Sequence, residues 1–208
     1  MKIEKFELGP IGTNAYLLST EDGSRGVIID PGMNPKPLIN RIEAMQIDAI
    51  LLTHAHFDHI GGVDEIRKLK GCPVYLHDAE ADWLTDAKKN GSLRWPELGA
   101  RIESDPAEYA LDTGMTIPLP DGEALQVFHT PGHSPGSVSF LYAGQHLFSG
   151  DVLFRLSVGR TDLPGGSERE LLESIHGTLF EFADDVKVYP GHGGLTTIGY
   201  ERAHNPYV

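Results

Sequence analysis

The stretch Thr53-His54-Ala55-His56-Phe57-Asp58-His59 places three imidazoles and a carboxylate within six positions, directly after an apolar run. Histidine and aspartate are ligands that suit zinc, iron or manganese. Ligands that are close in the chain become ordered together, so each additional one costs little conformational entropy. A polar loop that is rich in histidine by chance is the alternative. The density of ligands favours a metal site, with room for a second ion in the same cluster.

Composition limits the classes of protein to which the chain can belong. With 208 residues and 40% apolar side chains, we expect one domain spanning residues 1–208. The net charge of −13 argues against nucleic acid or an anionic membrane as a partner, because phosphate binding needs clustered Lys and Arg. The single cysteine, Cys72, excludes an internal disulfide and agrees with a reducing cytoplasm. We expect neither an export signal nor a membrane span.

Short β-rich runs alternate with amphipathic helical segments along both halves of the chain. The pattern predicts an α/β sandwich of two sheets covered by helices. It also predicts a helix over residues 79–85. Between residues 90 and 121 the pattern weakens, and this segment is either a lid or partner surface, or a surface excursion of no special function.

Three further candidate ligands stand at the ends of predicted strands, each beside a glycine. They occur in Thr130-Pro131-Gly132-His133, Ser149-Gly150-Asp151 and Tyr189-Pro190-Gly191-His192. Strand ends are where rigid scaffolds display functional side chains, and glycine lets the backbone pack around a crowded centre. The repeated arrangement of glycine and ligand makes a chance cluster very improbable.

The set His54-x-His56-x-Asp58-His59, His133, Asp151 and His192 resembles the motifs of the metallo-β-lactamase superfamily. The resemblance covers nearly the whole chain and implies a four-layer αββα sandwich. It places one metal ion on His54, His56 and His133, a second on Asp58, His59 and His192, and Asp151 between them as a bridge. Asp30 resembles the aspartate that supports the metal loop in this family.

A dinuclear centre of this kind implies a hydrolase. Two cations about 3.5–4 Å apart can share a hydroxide, which attacks a carbonyl that one of them polarises. The implied cofactor is a pair of divalent ions, zinc first, with iron and manganese as alternatives because the same ligands accept all three. Asp58 is the candidate catalytic carboxylate.

Two strings narrow the resemblance to the short, single-domain glyoxalase II-like thioester hydrolases. They are His129-Thr130-Pro131-Gly132-His133-Ser134-Pro135-Gly136-Ser137 and Ser157-Val158-Gly159-Arg160-Thr161-Asp162-Leu163-Pro164-Gly165-Gly166. The implied partner is a small-molecule thioester, turned over by a monomer or homodimer. Arg160 is a weak candidate for binding a substrate carboxylate, with a structural ion pair as the competing interpretation.

Other activities remain open at this stage. A mononuclear iron persulfide dioxygenase resembles this chain and uses ligands placed like His54, His133 and Asp151. A lactonase on the same site, or a metal-bound scaffold without turnover, are further alternatives. β-Lactamases of the commonest zinc class have a cysteine at the position of Asp151, which argues against antibiotic hydrolysis.

Five histidines lie outside the motif set, and we interpret them as structural or surface residues: His77, His129, His146, His176 and His204. Among them, His129 is the one most worth checking for a functional role.

Overall fold

The computed structural model describes residues 1–98 and 101–208, and two six-stranded sheets form its centre. The first sheet has the order β1 to β6, with the strands Lys2–Leu8, Thr13–Ser19, Arg25–Ile29, Gln46–Leu51, Val74–His77 and Tyr109–Leu111. Its first three strands are antiparallel, and β3, β4, β5 and β6 then pair in parallel.

The second sheet has the order β14-β13-β10-β9-β8-β7. Its strands are β7 Thr116–Pro118, β8 Ala124–His129, β9 Val138–Tyr142, β10 His146–Gly150, β13 Lys187–Pro190 and β14 Thr196–Thr197. Only the pair of β10 and β13 is parallel among the described strands of this sheet. A small hairpin of β11 Leu153–Phe154 and β12 Ser157–Val158 stands beside it.

Helices cover the outer face of each sheet. They are α1 Lys36–Ile42, α2 Phe57–Ile60, α3 Val63–Lys70, α4 Glu168–Gly177 and α5 Ile198–His204. Neighbouring residues of a strand point to opposite faces. In β2, Leu17 therefore joins α1 and α3 in an outer core, whereas Tyr16 packs between the sheets with Phe148. A third core lies between the second sheet and α4 and α5. This is the expected four-layer αββα sandwich.

One expectation about local structure is wrong. The predicted helix over 79–85 is a single 3-10 turn, Asp78–Glu80, followed by turns, because the Glu80 side chain is directed into the protein. The segment 90–121 is more ordered than its sequence suggests, since β6 and β7 form one edge of each sheet. Residues 99 and 100 of this segment lie outside the described residues. No helix in the described part of the chain is long and apolar enough to cross a membrane.

Candidate metal centre

The fold brings all seven candidate ligands to one edge of the sandwich, where strands of both sheets end. His54 and His56 follow β4, and Asp58 and His59 lie on the single turn of α2. The second sheet supplies the other three ligands, which follow β8, β10 and β13: His133, Asp151 and His192. Each group of three described below therefore combines residues that follow strands of both sheets.

The first group consists of His54, His56 and His133. One nitrogen from each ring lies within 4.8 Å of the others, and all three side chains are buried. His133 Nδ1 is 2.8 Å from the carbonyl oxygen of Arg160, which fixes the ring so that Nε2 faces the other two histidines. This orientation through the second ring nitrogen is typical of metal-binding histidines.

The second group consists of Asp58, His59 and His192, whose candidate ligand atoms also lie within 4.8 Å of one another. Asp58 Oδ2 is 3.3 Å from His59 Nε2 and 3.2 Å from His192 Nε2. The Thr13 hydroxyl donates to the same oxygen at 2.7 Å, so the carboxylate is held from outside the group.

Asp151 lies between the two groups. Its Oδ1 is 3.3 Å from His59 Nε2, and its Oδ2 is 3.6 Å from His133 Nε2 and 3.5 Å from His192 Nε2. One carboxylate thus contacts donors of both groups, which is the arrangement that a bridging ligand needs.

Several of these atoms are buried without a partner. Within residues 1–98 and 101–208, His54 Nε2, His56 Nε2, His59 Nε2 and Asp151 Oδ1 have no hydrogen bond. An unpaired buried polar atom is costly, and native proteins almost always satisfy such atoms. Converging imidazole nitrogens and carboxylate oxygens are suitable donors for zinc, iron or manganese, so the residues fit a pair of divalent ions.

The pKa values of several of these residues are shifted towards the protonation states that bind metal. Burial and the neighbouring His59 hold the pKa of His54 well below its usual value, and burial lowers the pKa of His56 to about 3. Burial alone would raise the pKa of Asp151, but His59 and His192 outweigh it and lower this pKa to about 2. Neutral imidazoles and ionised carboxylates are the forms that bind metal.

His59 behaves differently from His54 and His56. Burial opposes its protonation, but Asp58, Asp151 and Asp30 raise its pKa well above the usual value. His59 thus differs from His54 and His56 in having carboxylates close enough to favour its charged form.

Asp30 holds the segment that carries the ligands His54 to His59 through contacts with Thr53 and His59. Its Oδ1 accepts from the Thr53 amide at 2.8 Å, and its Oδ2 accepts from the Thr53 hydroxyl at 2.6 Å. Oδ2 also lies 2.9 Å from His59 Nδ1. Asp30 has a left-handed φ of 51°, which is tolerated better by aspartate than by most residues.

Glycine is required beside two ligands. A Cβ on Gly132 would overlap the backbone of Leu171 in α4, and the residue has a φ of 131°. A Cβ on Gly191 would overlap Asp151 Oδ1 and lie 2.7 Å from His59 Cε1. Both glycines therefore allow the close approach that their position in the sequence suggests.

Glu80 is a supporting residue that sequence reasoning missed. The side chain is fully buried, and its Oε2 accepts from the Ala55 amide at 2.6 Å, between the ligands His54 and His56. Its Oε1 accepts from the Gly136 amide at 2.8 Å, in the loop that carries His133. Burial raises the pKa of Glu80, although these hydrogen bonds oppose the shift. A single glutamate in a polar segment gives no sequence signal for this role.

Five of the seven candidate ligands form the floor of a cavity of about 430 Å³: His56, Asp58, His133, Asp151 and His192. Arg160 lines the cavity and is paired with Asp162, which is the ion pair named above as the competing interpretation to binding of a substrate carboxylate. The remaining lining residues are apolar, several of them without a sequence signal: Ile11, Phe57, Trp95, Leu98, Phe154, Val158 and Leu163. Trp95 and Leu98 belong to the segment 90–121, so part of that segment forms a wall of the cavity.

The other histidines stay outside the centre. The ring of His129 stacks on that of His77 with centroids 4.0 Å apart, and His129 Nε2 lies 2.8 Å from the carbonyl oxygen of Pro135. His146 Nδ1 is 2.9 Å from the Tyr189 hydroxyl, and His204 Nδ1 is 2.9 Å from the Tyr200 carbonyl oxygen. The His176 ring packs edge-on against Phe180.

Comparison with known proteins agrees with this geometry. The family model of the metallo-beta-lactamase superfamily matches residues 8–192, and the chain belongs to that superfamily. Among its relatives, a probable metallo-hydrolase of Bacillus subtilis (strain 168), YqgX, is 42% identical over 219 residues, covering 100% of this chain and 98% of the relative. The hydroxyacylglutathione hydrolase GloC of Haemophilus influenzae is 32% identical over 213 residues, with 100% and 98% covered.

Solved structures are similar over the same length. The crystal structure of the BLEG-1 B3 metallo-beta-lactamase has a TM-score of 0.92 and 47% identity, covering 99% of both chains. The crystal structure of TTHA1623 in a di-iron-bound form has a TM-score of 0.86 and 39% identity, covering 99% of this chain and 100% of the other. Both support the superfamily assignment and the sandwich fold.

Proposed function

We propose that the chain is a dinuclear metal-dependent hydrolase that cleaves thioesters in a reaction of the glyoxalase II type. The observation that carries the proposal is the convergence of two ligand groups, with Asp151 in contact with both and with buried donor atoms left unpaired. We further propose that it acts in the cytoplasm as one domain over residues 1–208, as a monomer or homodimer, on a small molecule.

Each ligand has a proposed place. His54, His56 and His133 would hold one ion, Asp58, His59 and His192 would hold the other, and Asp151 would contribute to both sites. Zinc is the proposed metal, and the di-iron form of a solved relative keeps iron as the alternative. When bound, such a pair of ions supplies a nucleophile derived from water at neutral pH and polarises the carbonyl under attack.

The side chains around the centre orient the reactants. Asp58 lines the cavity, and the Thr13 hydroxyl holds its Oδ2, so the carboxylate is placed to orient the attacking water. The apolar wall excludes bulk water from the reacting carbonyl. A thiol has a pKa of about 8.5, so a thiolate leaves without a separate general acid. A thioester therefore needs no catalytic group beyond those at the floor of the cavity.

Relatives support the class of substrate. A protein with the name hydroxyacylglutathione hydrolase matches the full chain at 32% identity, and another full-length relative is named a probable metallo-hydrolase. β-Lactam hydrolysis is the second candidate, because a structure described as a B3 metallo-beta-lactamase is 47% identical. Cys72, which packs in an outer core, takes no part in the centre.

Metal content and a substrate panel test the proposal. Protein made without added metal is analysed for metal per chain and assayed with thioesters, lactones, a chromogenic β-lactam and, for oxygen uptake, a persulfide. We expect two ions per chain and thioester cleavage that Asp58→Ala reduces by at least about a hundredfold, in the range of catalytic carboxylate losses.

The matched control is Asp64→Ala, which removes an exposed carboxylate from α3 and should keep full activity. If the protein holds one iron per chain and consumes oxygen with a persulfide, the activity is that of a dioxygenase and the proposed hydrolase activity is wrong. Preferred cleavage of the lactone or the β-lactam would move the activity to that substrate, and full activity of Asp58→Ala would contradict the catalytic role.

A further inference from the structure

The cavity above the metal centre has a wall of apolar side chains. Trp95 and Leu98 come from the segment before β6, Phe154 ends β11, and Leu163 lies in the loop after β12. The Phe57 and Trp95 rings stack with centroids 5.6 Å apart, which fixes one side of the wall. A substrate group that contacts this wall exchanges water for apolar surface, and this exchange favours an apolar group.

Arg160 is the only Lys or Arg among the lining residues within 1–98 and 101–208. Its Nε donates to Asp162 Oδ1 at 2.6 Å, and its Nη2 donates to Asp162 Oδ2 at 2.7 Å. Both bonds use the Nε and Nη2 side of the guanidinium, so these two donors are not free to hold a substrate carboxylate. The bond from Arg160 lowers the pKa of Asp162 to about 2, so this carboxylate is ionised at neutral pH.

The Arg160 side chain also contacts Trp95. Its guanidinium carbon lies 5.9 Å from the centroid of the Trp95 ring, in a cation–π contact. Arg160 thus joins the apolar wall to the solvent-exposed entrance of the cavity. There, 54% of the Arg160 side chain and 67% of the Asp162 side chain are exposed. An incoming anion meets a cation that is already paired, together with the negative charge of Asp162.

We infer that the substrate group that occupies this cavity is uncharged and apolar, and that Asp162 determines this specificity by occupying Arg160. The inference rests on the proposed thioester hydrolysis and names its substrate class: thioesters with an aromatic or aliphatic acyl group in place of one that carries a carboxylate.

Two thioesters of the same uncharged thiol, N-acetylcysteamine, test the inference on the metal-loaded enzyme. One carries a phenylacetyl group and the other a succinyl group, so the two differ in both the aromatic ring and the free carboxylate, and the variants below separate these two differences. We expect a higher kcat/KM for the phenylacetyl thioester. Asp162→Asn releases the guanidinium, and the ratio of succinyl to phenylacetyl kcat/KM should rise about fivefold, the equivalent of one exposed ion pair.

Two more variants separate charge from packing. Asp185→Asn removes the same charge at an exposed position elsewhere and should leave the ratio unchanged. Trp95→Ala removes part of the apolar wall and should lower kcat/KM for the phenylacetyl thioester by about tenfold or more, the equivalent of about 1.4 kcal/mol of lost apolar contact.

The possible outcomes distinguish the inference from the proposed function. If wild-type enzyme prefers the succinyl thioester, or if Asp162→Asn leaves the ratio unchanged, the inference is wrong and the hydrolase stands. If protein that holds two metal ions cleaves neither thioester, the proposed function fails and the inference fails with it. A higher ratio in Asp162→Asn but not in Asp185→Asn supports the inference.

Discussion

Removal of Glu80 should weaken the metal centre without removing a ligand. The carboxylate joins the two loops that carry the first ligand group, by accepting from the Ala55 amide at 2.6 Å and from the Gly136 amide at 2.8 Å. Glu80→Ala leaves both buried amides without an acceptor. Glu80→Gln keeps the shape and one acceptor oxygen but turns an NH₂ group towards one amide.

The magnitude follows from the number of unpaired donors. A buried donor without a partner costs about 1–3 kcal/mol, so Glu80→Ala should destabilise the metal-free protein by about 2–6 kcal/mol and Glu80→Gln by about half as much. Burial raises the pKa of Glu80, which shows that burying its charge is unfavourable. Glu80→Ala removes this unfavourable contribution, so the expected loss of stability lies in the lower part of the range. Displaced support of metal ligands typically lowers metal affinity by about 10–100-fold.

Urea unfolding of metal-free protein and competition with a chromophoric chelator measure the two effects. A loss of about 3 kcal/mol shifts the urea midpoint by about 1 M for an m-value near 3 kcal/mol/M. Glu21→Ala is the control, because the Glu21 side chain is 78% exposed and has a weak ion pair with Lys2 at 3.7 Å. The reasoning is refuted if Glu80→Ala matches Glu21→Ala in both stability and metal affinity.

Three further predictions concern the same centre. Gly191→Ala places a Cβ on Asp151 Oδ1 and should lower metal content well below that of Gly194→Ala, whose Cβ meets nothing within 4 Å; equal metal content in the two variants would contradict the packing argument. Chelation should lower the thermal midpoint of the wild type, because ions that bind only the folded state stabilise it by mass action; an unchanged midpoint after verified metal removal would argue against the coupling. Burial lowers the pKa of His56 to about 3, so between about pH 6.5 and 3 the unfolded state binds a proton that the folded state refuses. The metal-free protein should therefore lose stability as pH falls through this window, and denaturant titrations showing constant stability from pH 7 to 4 would refute this.

Most of the fold follows from patterns that are local in the sequence. Alternating apolar residues mark the strands, and all seven candidate ligands stand next to a strand end or on the turn after it, where the sequence predicts exposed functional side chains. Glycines that precede His133 and His192 also signal close packing, and the structure shows the overlap that a side chain at Gly132 or Gly191 would cause.

The parts that the sequence does not predict depend on contacts between distant segments. β6 is three residues long with one buried side chain, Leu111, so its pattern is too short to indicate a strand. In the sequence, Glu80 looks like a surface residue of a helix. Its role follows only from its hydrogen bonds with the Ala55 and Gly136 amides, which belong to distant segments. Trp95 becomes part of the cavity because its ring stacks on that of Phe57, which is distant in the sequence.

The position of the centre between two sheets explains why supporting residues matter as much as ligands. Each ligand group takes two side chains from the segment after β4 and one from the second sheet, so the spacing of the sheets sets the ligand distances. Direct bonds fix that spacing: the Val138 amide donates to the Thr53 carbonyl at 2.8 Å, and the Asn14 amide donates to the Gly191 carbonyl at 2.7 Å. Glu80 acts in the same way through a side chain that bonds one amide on each side. Since metal ions and these bonds join the same two sheets, loosening either should weaken the other, and this reciprocity is required of any coupled binding equilibrium.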